Sequence, residues 1–104
     1  MGNKFNADMD KKRRSAKERA RAWELRQLQK AGKISGLSEQ VSFNLLPKQE
    51  GERPVVYIAD FTYWQNGQFV VEDVKGYKKG SAYANFVLKR KMMLYFYGIH
   101  VKET

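Results

Sequence analysis

Three observations predict a mixed α/β domain with the element order αβββαβ. A stretch of strong helix formers from Lys11 to Ala31 stops at Gly32, two strand-like runs meet at Asn66-Gly67, and an apolar helical run from Ser81 to Tyr97 is closed by Gly98. At 104 residues the chain can bury one modest core and has no room for a second.

Met1 to Asp10 is polar and reads as a frayed arm, which leaves 11–104 as the single domain. Lys11 to Ala31 is built from Ala, Arg, Lys, Glu, Gln and Leu, and Gly32 stands where a helix ends on a left-handed residue. Gln40 to Leu46 alternates as a strand and is ended by Pro47 and the polar loop Lys48 to Arg53. The runs YIADFTYW, Tyr57 to Trp64, and QFVVEDVKG, Gln68 to Gly76, are rich in β-branched and aromatic residues. Between them, Asn66-Gly67 tolerates the positive φ at both central positions of a type I′ turn, so the pair predicts a hairpin. Gly76 to Gly80 then reads as a loop, Ser81 to Tyr97 as the second helix and Ile99 to Lys102 as a short last strand, with no internal repeat.

A two-residue loop fixes the register of that hairpin. Gln65 pairs with Gln68, and each step outward pairs residues whose numbers sum to 133, so Asp60 lies opposite Asp73. Side chains alternate with period two, which puts Val71, Asp73 and Lys75 on one face, with Lys75 diagonal to Asp60. Glu72, adjacent to Asp73 in the chain, projects from the other face beside Phe61. Like charges opposite one another destabilise a strand pair, so the aspartates need a partner. A divalent cation fits: carboxylate oxygens suit Mg²⁺, with Mn²⁺ as the second choice, and such ions take the rest of their shell from water and a substrate phosphate. A lysine beside them can orient an attacking water and stabilise charge developing on phosphorus. The constellation reads as phosphodiester hydrolysis; the bland alternative is a set of solvated side chains on an open sheet face.

Composition agrees. Lys plus Arg is 20 against 11 Asp plus Glu, a net charge of +9, and the excess is sharpest in Lys11 to Arg21. Such a surplus favours a polyanion bound through phosphate contacts. No apolar run approaches a membrane-spanning length and no leader pattern opens the chain, so no membrane partner and a cytoplasmic setting are expected. Cysteine is absent, which excludes disulfides and thiolate zinc sites, and the lone His100 cannot build a histidine cluster.

Asp60 followed by Asp73-Val74-Lys75 resembles the D…(D/E)-x-K signature of the PD-(D/E)XK nuclease superfamily, with Ala59-Asp60 standing where that motif often has Pro-Asp. The phrases YIADFTY and VVEDVKG, preceded by a basic helix carrying Trp23-Glu24-Leu25, are similar to small phage proteins of that superfamily and to phage and archaeal Holliday-junction resolvases. The likeness runs from about Ser15 to Val101. It implies a restriction-endonuclease-like core with a central mixed sheet flanked by helices, and a metal-dependent endodeoxyribonuclease acting on branched DNA, in the host cytoplasm if phage-encoded. It further implies Asp60 and Asp73 as ligands of one or two Mg²⁺ ions, Lys75 as the residue that positions water, and a helix glutamate completing the shell.

Glu24 matches that last role by position. At about 100° per residue it falls inside an arc swept by Trp23, Gln27, Ala16, Ala20, Ala31 and Leu28, where a carboxylate is costly unless paired or bound to metal. A salt bridge to a basic neighbour such as Lys17 is the other reading, and Glu18 falls off the arc among the charges. Lys89 sits among Phe86, Met93 and Phe96 on the second helix, either as a stem snorkelling past the core or as a phosphate contact near the site. Lys11, Lys12, Arg13, Arg14, Lys17 and Arg21 are candidate DNA-backbone contacts, the alternative being a solubilising arm. Tyr57, Tyr63, Trp64, Tyr77 and Tyr83 can stack on unpaired bases, though strand aromatics are more often packing. The second helix, apolar on nearly every side, predicts a homodimer. A non-catalytic nucleic-acid-binding protein on a nuclease-like scaffold is the alternative function.

Overall fold

The computed structural model describes residues 14–76 and 78–104. Its elements are α1 (Ala16–Lys30), β1 (Ser35–Leu46), β2 (Val55–Gln65), β3 (Gln68–Asp73), α2 (Gly80–Tyr97) and β4 (Lys102–Glu103). The strands form one open sheet in the order β1-β2-β3-β4. β2 pairs antiparallel with both β1 and β3, and β4 joins β3 in parallel, giving the mixed α/β fold that the sequence predicts. Among the described residues no helix is long and apolar enough to cross a membrane.

α1 begins at Ala16 rather than Lys11. Ser15 is extended, with φ −62° and ψ 158°, and its hydroxyl accepts the Glu18 N–H at 3.1 Å, satisfying one of the free donors of the first turn. The helix ends as expected at Gly32, whose φ of +75° suits glycine. There the Gly32 and Lys33 N–H groups donate to the carbonyls of Gln29 and Leu28 at 3.0 and 2.9 Å, the paired bonds of a Schellman ending. Lys11, Lys12, Arg13 and Tyr77 lie outside the described residues.

The hairpin register is the predicted one. Asn66 and Gly67 have φ +52° and +76°, Gln65 pairs with Gln68, and Phe61 pairs with Glu72. β1 starts at Ser35 rather than Gln40, because its first residues are held by the ladder to β2, Ser35 to Trp64 and Ser38 to Thr62, and not by an apolar alternation. The last strand is Lys102–Glu103 rather than Ile99–Lys102. Gly98 turns left-handed at φ +67°, its N–H donates to the Leu94 carbonyl at 2.9 Å, and Ile99 packs against the core instead of pairing.

The core is split in two. Leu45, Tyr57, Ala59, Val71, Phe86, Met93 and Val101 form one cluster with α2; Ala22, Leu25, Ile34, Phe61 and Tyr63 form the other with α1. In an uninterrupted strand Tyr57, Ala59, Phe61 and Tyr63 would share a face. Here the first pair joins the α2 cluster and the second the α1 cluster, and β1 does the same, with Phe43 and Leu45 on one side and Leu37 on the other. Both strands therefore change faces around Gln40 and Asp60, and Gln40 carries the left-handed φ of +54° that such a change requires.

Candidate active site

Asp60 sits at that change of face, and the strands part there. The β2–β3 ladder stops at Phe61–Glu72; one step further, the Asp60 carboxylate takes the place of a strand carbonyl, its Oδ2 accepting the Val74 N–H at 2.8 Å. Below this rung lies a cleft of about 440 Å³. Tyr57, Ile58 and Asp60 of β2, Asp73 to Lys75, Glu18 of α1, and Asn85, Phe86 and Lys89 of α2 line it. Asp60, Asp73 and Lys75 thus line one cleft, although the expected Asp60–Asp73 rung does not form, and Lys89 joins them.

The electrostatics of the cleft are those of crowded carboxylates. Burial first, and then the charges of Asp73 and Glu18, push the Asp60 carboxyl up to about 6 against the bonds from Val74 and Gln40. Glu18 is also raised, by burial foremost and by Asp73 and Glu39, with Arg14 opposing. A single Gln40 amide nitrogen bridges the two, donating to Glu18 Oε2 at 3.3 Å and Asp60 Oδ1 at 3.4 Å. Lys75 Nζ lies 2.5 Å from Asp73 Oδ2 and over the Phe86 ring at 3.8 Å from its centroid, and Glu18 pairs with Arg14 at 2.9 Å, so that of the three carboxylates Asp60 has no ion-pair partner among the described residues. The Tyr57 hydroxyl is buried beside Asp73. Among the described residues no three His, Cys, Asp or Glu side chains are close enough together to enclose a metal ion. The donor set is nonetheless all hard oxygen, and two carboxylates with water and phosphate oxygens match the way Mg²⁺ binds.

The structure places Glu24 elsewhere. Its side chain is 60% exposed and pairs with Arg21 at 3.1 Å, away from the cleft. The buried stripe of α1 is Ala22 and Leu25 with Leu28, not the arc through Trp23, which is 63% exposed. Glu18 lies one heptad before Leu25 on this stripe and is the helix glutamate of the cleft. The signal was Ser15-Ala16-Lys17-Glu18, a Ser-x-x-Glu helix start that fixes the phase from Ser15.

Two of the basic candidates are also redirected. Arg21 grips Glu72 with Nε at 2.6 Å and Nη2 at 3.0 Å, and Arg14 pairs with Glu18 at 2.9 Å and Glu39 at 2.6 Å, so both are turned to intramolecular partners rather than to DNA. Lys17 donates to the Lys75 carbonyl at 2.7 Å, tying α1 to the edge of the cleft. Glu72, wholly buried on the α1 side, also accepts from the hydroxyls of Tyr63 at 2.6 Å and Thr104 at 3.1 Å. Burial alone would raise its pKa, but Arg21 and Tyr63 hold it below the ordinary carboxylate value. Tyr57 and Tyr63 are buried and Tyr83 bonds Glu103, whereas Trp64 is half exposed and pairs with Phe69, ring centroids 5.1 Å apart.

The chain belongs to the family described as "Protein of unknown function (DUF1064)", whose model matches residues 3–103. No curated protein and no solved structure matches it.

Proposed function

We propose that this member of the DUF1064 family is a metal-dependent endodeoxyribonuclease of the PD-(D/E)XK type, selective for branched or otherwise non-B-form DNA and working as a homodimer. The observation that carries the reading is the convergence of Asp60, Asp73, Lys75 and Glu18 on one cleft at the point where β2 and β3 part. Asp60 and Asp73, with Glu18 in the place first given to Glu24, would hold Mg²⁺ or Mn²⁺, which when bound neutralises phosphate charge and lowers the pKa of water. Lys75 orients the water that attacks phosphorus in line, and Lys89, on the α2 wall, contacts a phosphate oxygen.

Asp60 supports this assignment in a second way. Its carboxyl is disfavoured as an anion by burial and by two like charges, a state that a bound cation relieves. The net charge of +9 supplies attraction for a polyanion, and the exposed Trp64–Phe69 pair offers faces on which an unpaired base can stack. Exposed Leu88, Leu94, Tyr95 and Phe96 on α2 provide the surface for a second copy, which paired cuts across a junction require.

The test is incubation of the purified protein with linear duplex, single-stranded, flap and four-way-junction DNA in Mg²⁺, Mn²⁺ or EDTA. Cleavage that needs metal and favours the branched substrates is expected. Lys75→Ala should lose cleavage while keeping DNA affinity within a few-fold, since one charge among 20 adds little to the electrostatic term. Binding to all four DNAs with no cleavage in any metal would instead favour the non-catalytic scaffold. Light scattering that shows a monomer with and without junction DNA would remove the dimer.

A further inference from the structure

Gln40 stands where β1 and β2 change faces, and it is held there against its own backbone preference. Glu39 pairs with Phe61 and Val41 with Ala59, which sets Gln40 across from Asp60. Its φ is +54°; the other non-glycine residue with a positive φ among the described residues is Asn66, in the hairpin turn that requires it. A side chain in that region is strained and glycine is not, so what Gln40 adds at this point of the strand is its amide. The amide nitrogen donates to Glu18 Oε2 at 3.3 Å and to Asp60 Oδ1 at 3.4 Å, one N–H for a carboxylate of α1 and one for a carboxylate of β2. Chemistry dictates this orientation: turned round, the amide would add a third acceptor oxygen between two carboxylates.

The two carboxylates are otherwise anchored separately. Asp60 Oδ2 accepts the Val74 N–H at 2.8 Å, and Glu18 Oε2 pairs with Arg14 Nε at 2.9 Å. Among the described residues Gln40 is the side chain that hydrogen-bonds both. Glu18 and Asp60 line the cleft and Gln40 does not, so the amide grips them from outside it, and each carboxylate keeps lone pairs for another partner.

We propose that Gln40 is a positioning residue of the cation site: through its two hydrogen bonds it sets the spacing of Glu18 and Asp60, so that both can serve one divalent ion. This rests on the metal-dependent reading of the cleft and adds to it a residue outside the D…(D/E)-x-K motif. Without the amide the two like charges repel with nothing between them, and an incoming ion must first draw them together. Groups that hydrogen-bond metal-ligating carboxylates contribute about 10- to 100-fold in metal affinity.

The experiment compares wild type with two variants that lack the amide: Gln40→Gly, which suits the left-handed backbone, and Gln40→Met, which keeps the length of the side chain. The readouts are the melting temperature in EDTA and the dissociation constant for Mn²⁺ from isothermal titration calorimetry. Both variants are expected to bind Mn²⁺ about 10-fold more weakly or worse, while Gln40→Gly melts in EDTA within a few degrees of wild type. Wild-type Mn²⁺ affinity in both variants, with or without a change in melting temperature, would overturn the proposal and leave the cation site standing. A deficit confined to one variant would overturn it as well, since it would belong to backbone or bulk and not to the amide. If wild type binds no Mn²⁺, the cation site itself falls, and the part given to Gln40 falls with it. The readout needs no cleavage, so failure of the nuclease reading alone leaves the comparison decisive.

Discussion

Glu72 and Asp73 are neighbours on β3, both buried carboxylates, and the fold treats them in opposite ways. Glu72 faces α1 and is fully satisfied by the Arg21 fork, the Tyr63 hydroxyl and the Thr104 hydroxyl. Asp73 faces the cleft, where it shares Lys75 with the nearby charges of Asp60 and Glu18. The consequences appear in the titration of the two groups of carboxylates: Glu72 is held below its ordinary pKa, while Asp60 is pushed up to about 6. Burial alone separates neither. The difference lies in compensation: buried Glu72 has its own guanidinium and belongs to the scaffold, whereas Asp60 has no ion-pair partner among the described residues, and it is there that the proposed cation would bind.

The largest effect should come from breaking the satisfied side. Arg21→Ala leaves Glu72 buried and without its cation, and a stability loss of about 3 kcal/mol or more is expected in urea unfolding at pH 7. The loss should shrink in acid. Because the folded pKa of Glu72 is depressed, its contribution is present above the unfolded value near 4.5 and disappears as pH falls through the lower folded value. A loss that does not change with pH would mean that Arg21 acts by packing alone.

Asp60 should show the opposite sign. Its folded pKa is raised, so its carboxyl favours the folded state at low pH and that stability is lost as pH climbs from 3.8 through about 6. In EDTA, Asp60→Asn should therefore be more stable than wild type at pH 7, by roughly 1 kcal/mol once solvent screening is allowed for, and should flatten the pH dependence in that window. The asparagine oxygen can still accept the Val74 N–H, so the comparison isolates the charge. Lower stability of Asp60→Asn at pH 7 would show that the carboxylate is compensated after all.

How far this contrast could be read from the sequence follows from where the chain counts for itself. Asn66-Gly67 fixes a two-residue loop, so sending Glu72 and Asp73 to opposite faces is arithmetic and holds, whereas the Asp60–Asp73 rung does not form, because the ladder ends at Phe61–Glu72 and the strands part there. The helix face was not legible in the same way. α1 is mostly alanine and long polar residues, its apolar stripe is only Ala22, Leu25 and Leu28, and a helix begun at Lys11 hides the Ser15 cap that singles out Glu18. The change of faces at Gln40 and Asp60 has no sequence signature either, since neither residue is a glycine. The cleft is therefore more completely built than its motif, and Arg21, which looks like one more charge of a DNA-binding run, proves to be the counter-ion of the scaffold.

The smallest effects sharpen the same comparison on α1. Glu24→Ala removes an exposed pair and should change stability by less than about 0.5 kcal/mol, with cleavage retained. Glu18→Gln should be close to neutral in urea unfolding as well but should weaken cleavage, because it keeps the shape of the side chain and removes a charge from the cleft. Equal cleavage by both variants would return the third carboxylate of the site to an open position.

The central claim is that the Asp60–Asp73 side is a cation site while the Glu72 side is scaffold. The most direct measurement is the melting temperature of wild type and Asp73→Asn against Mg²⁺ and Mn²⁺ concentration at pH 7.5 and pH 5. A metal-dependent rise is expected in wild type at pH 7.5, smaller at pH 5 where Asp60 is protonated, and largely lost in Asp73→Asn. Equal shifts in both proteins at both pH values would contradict it.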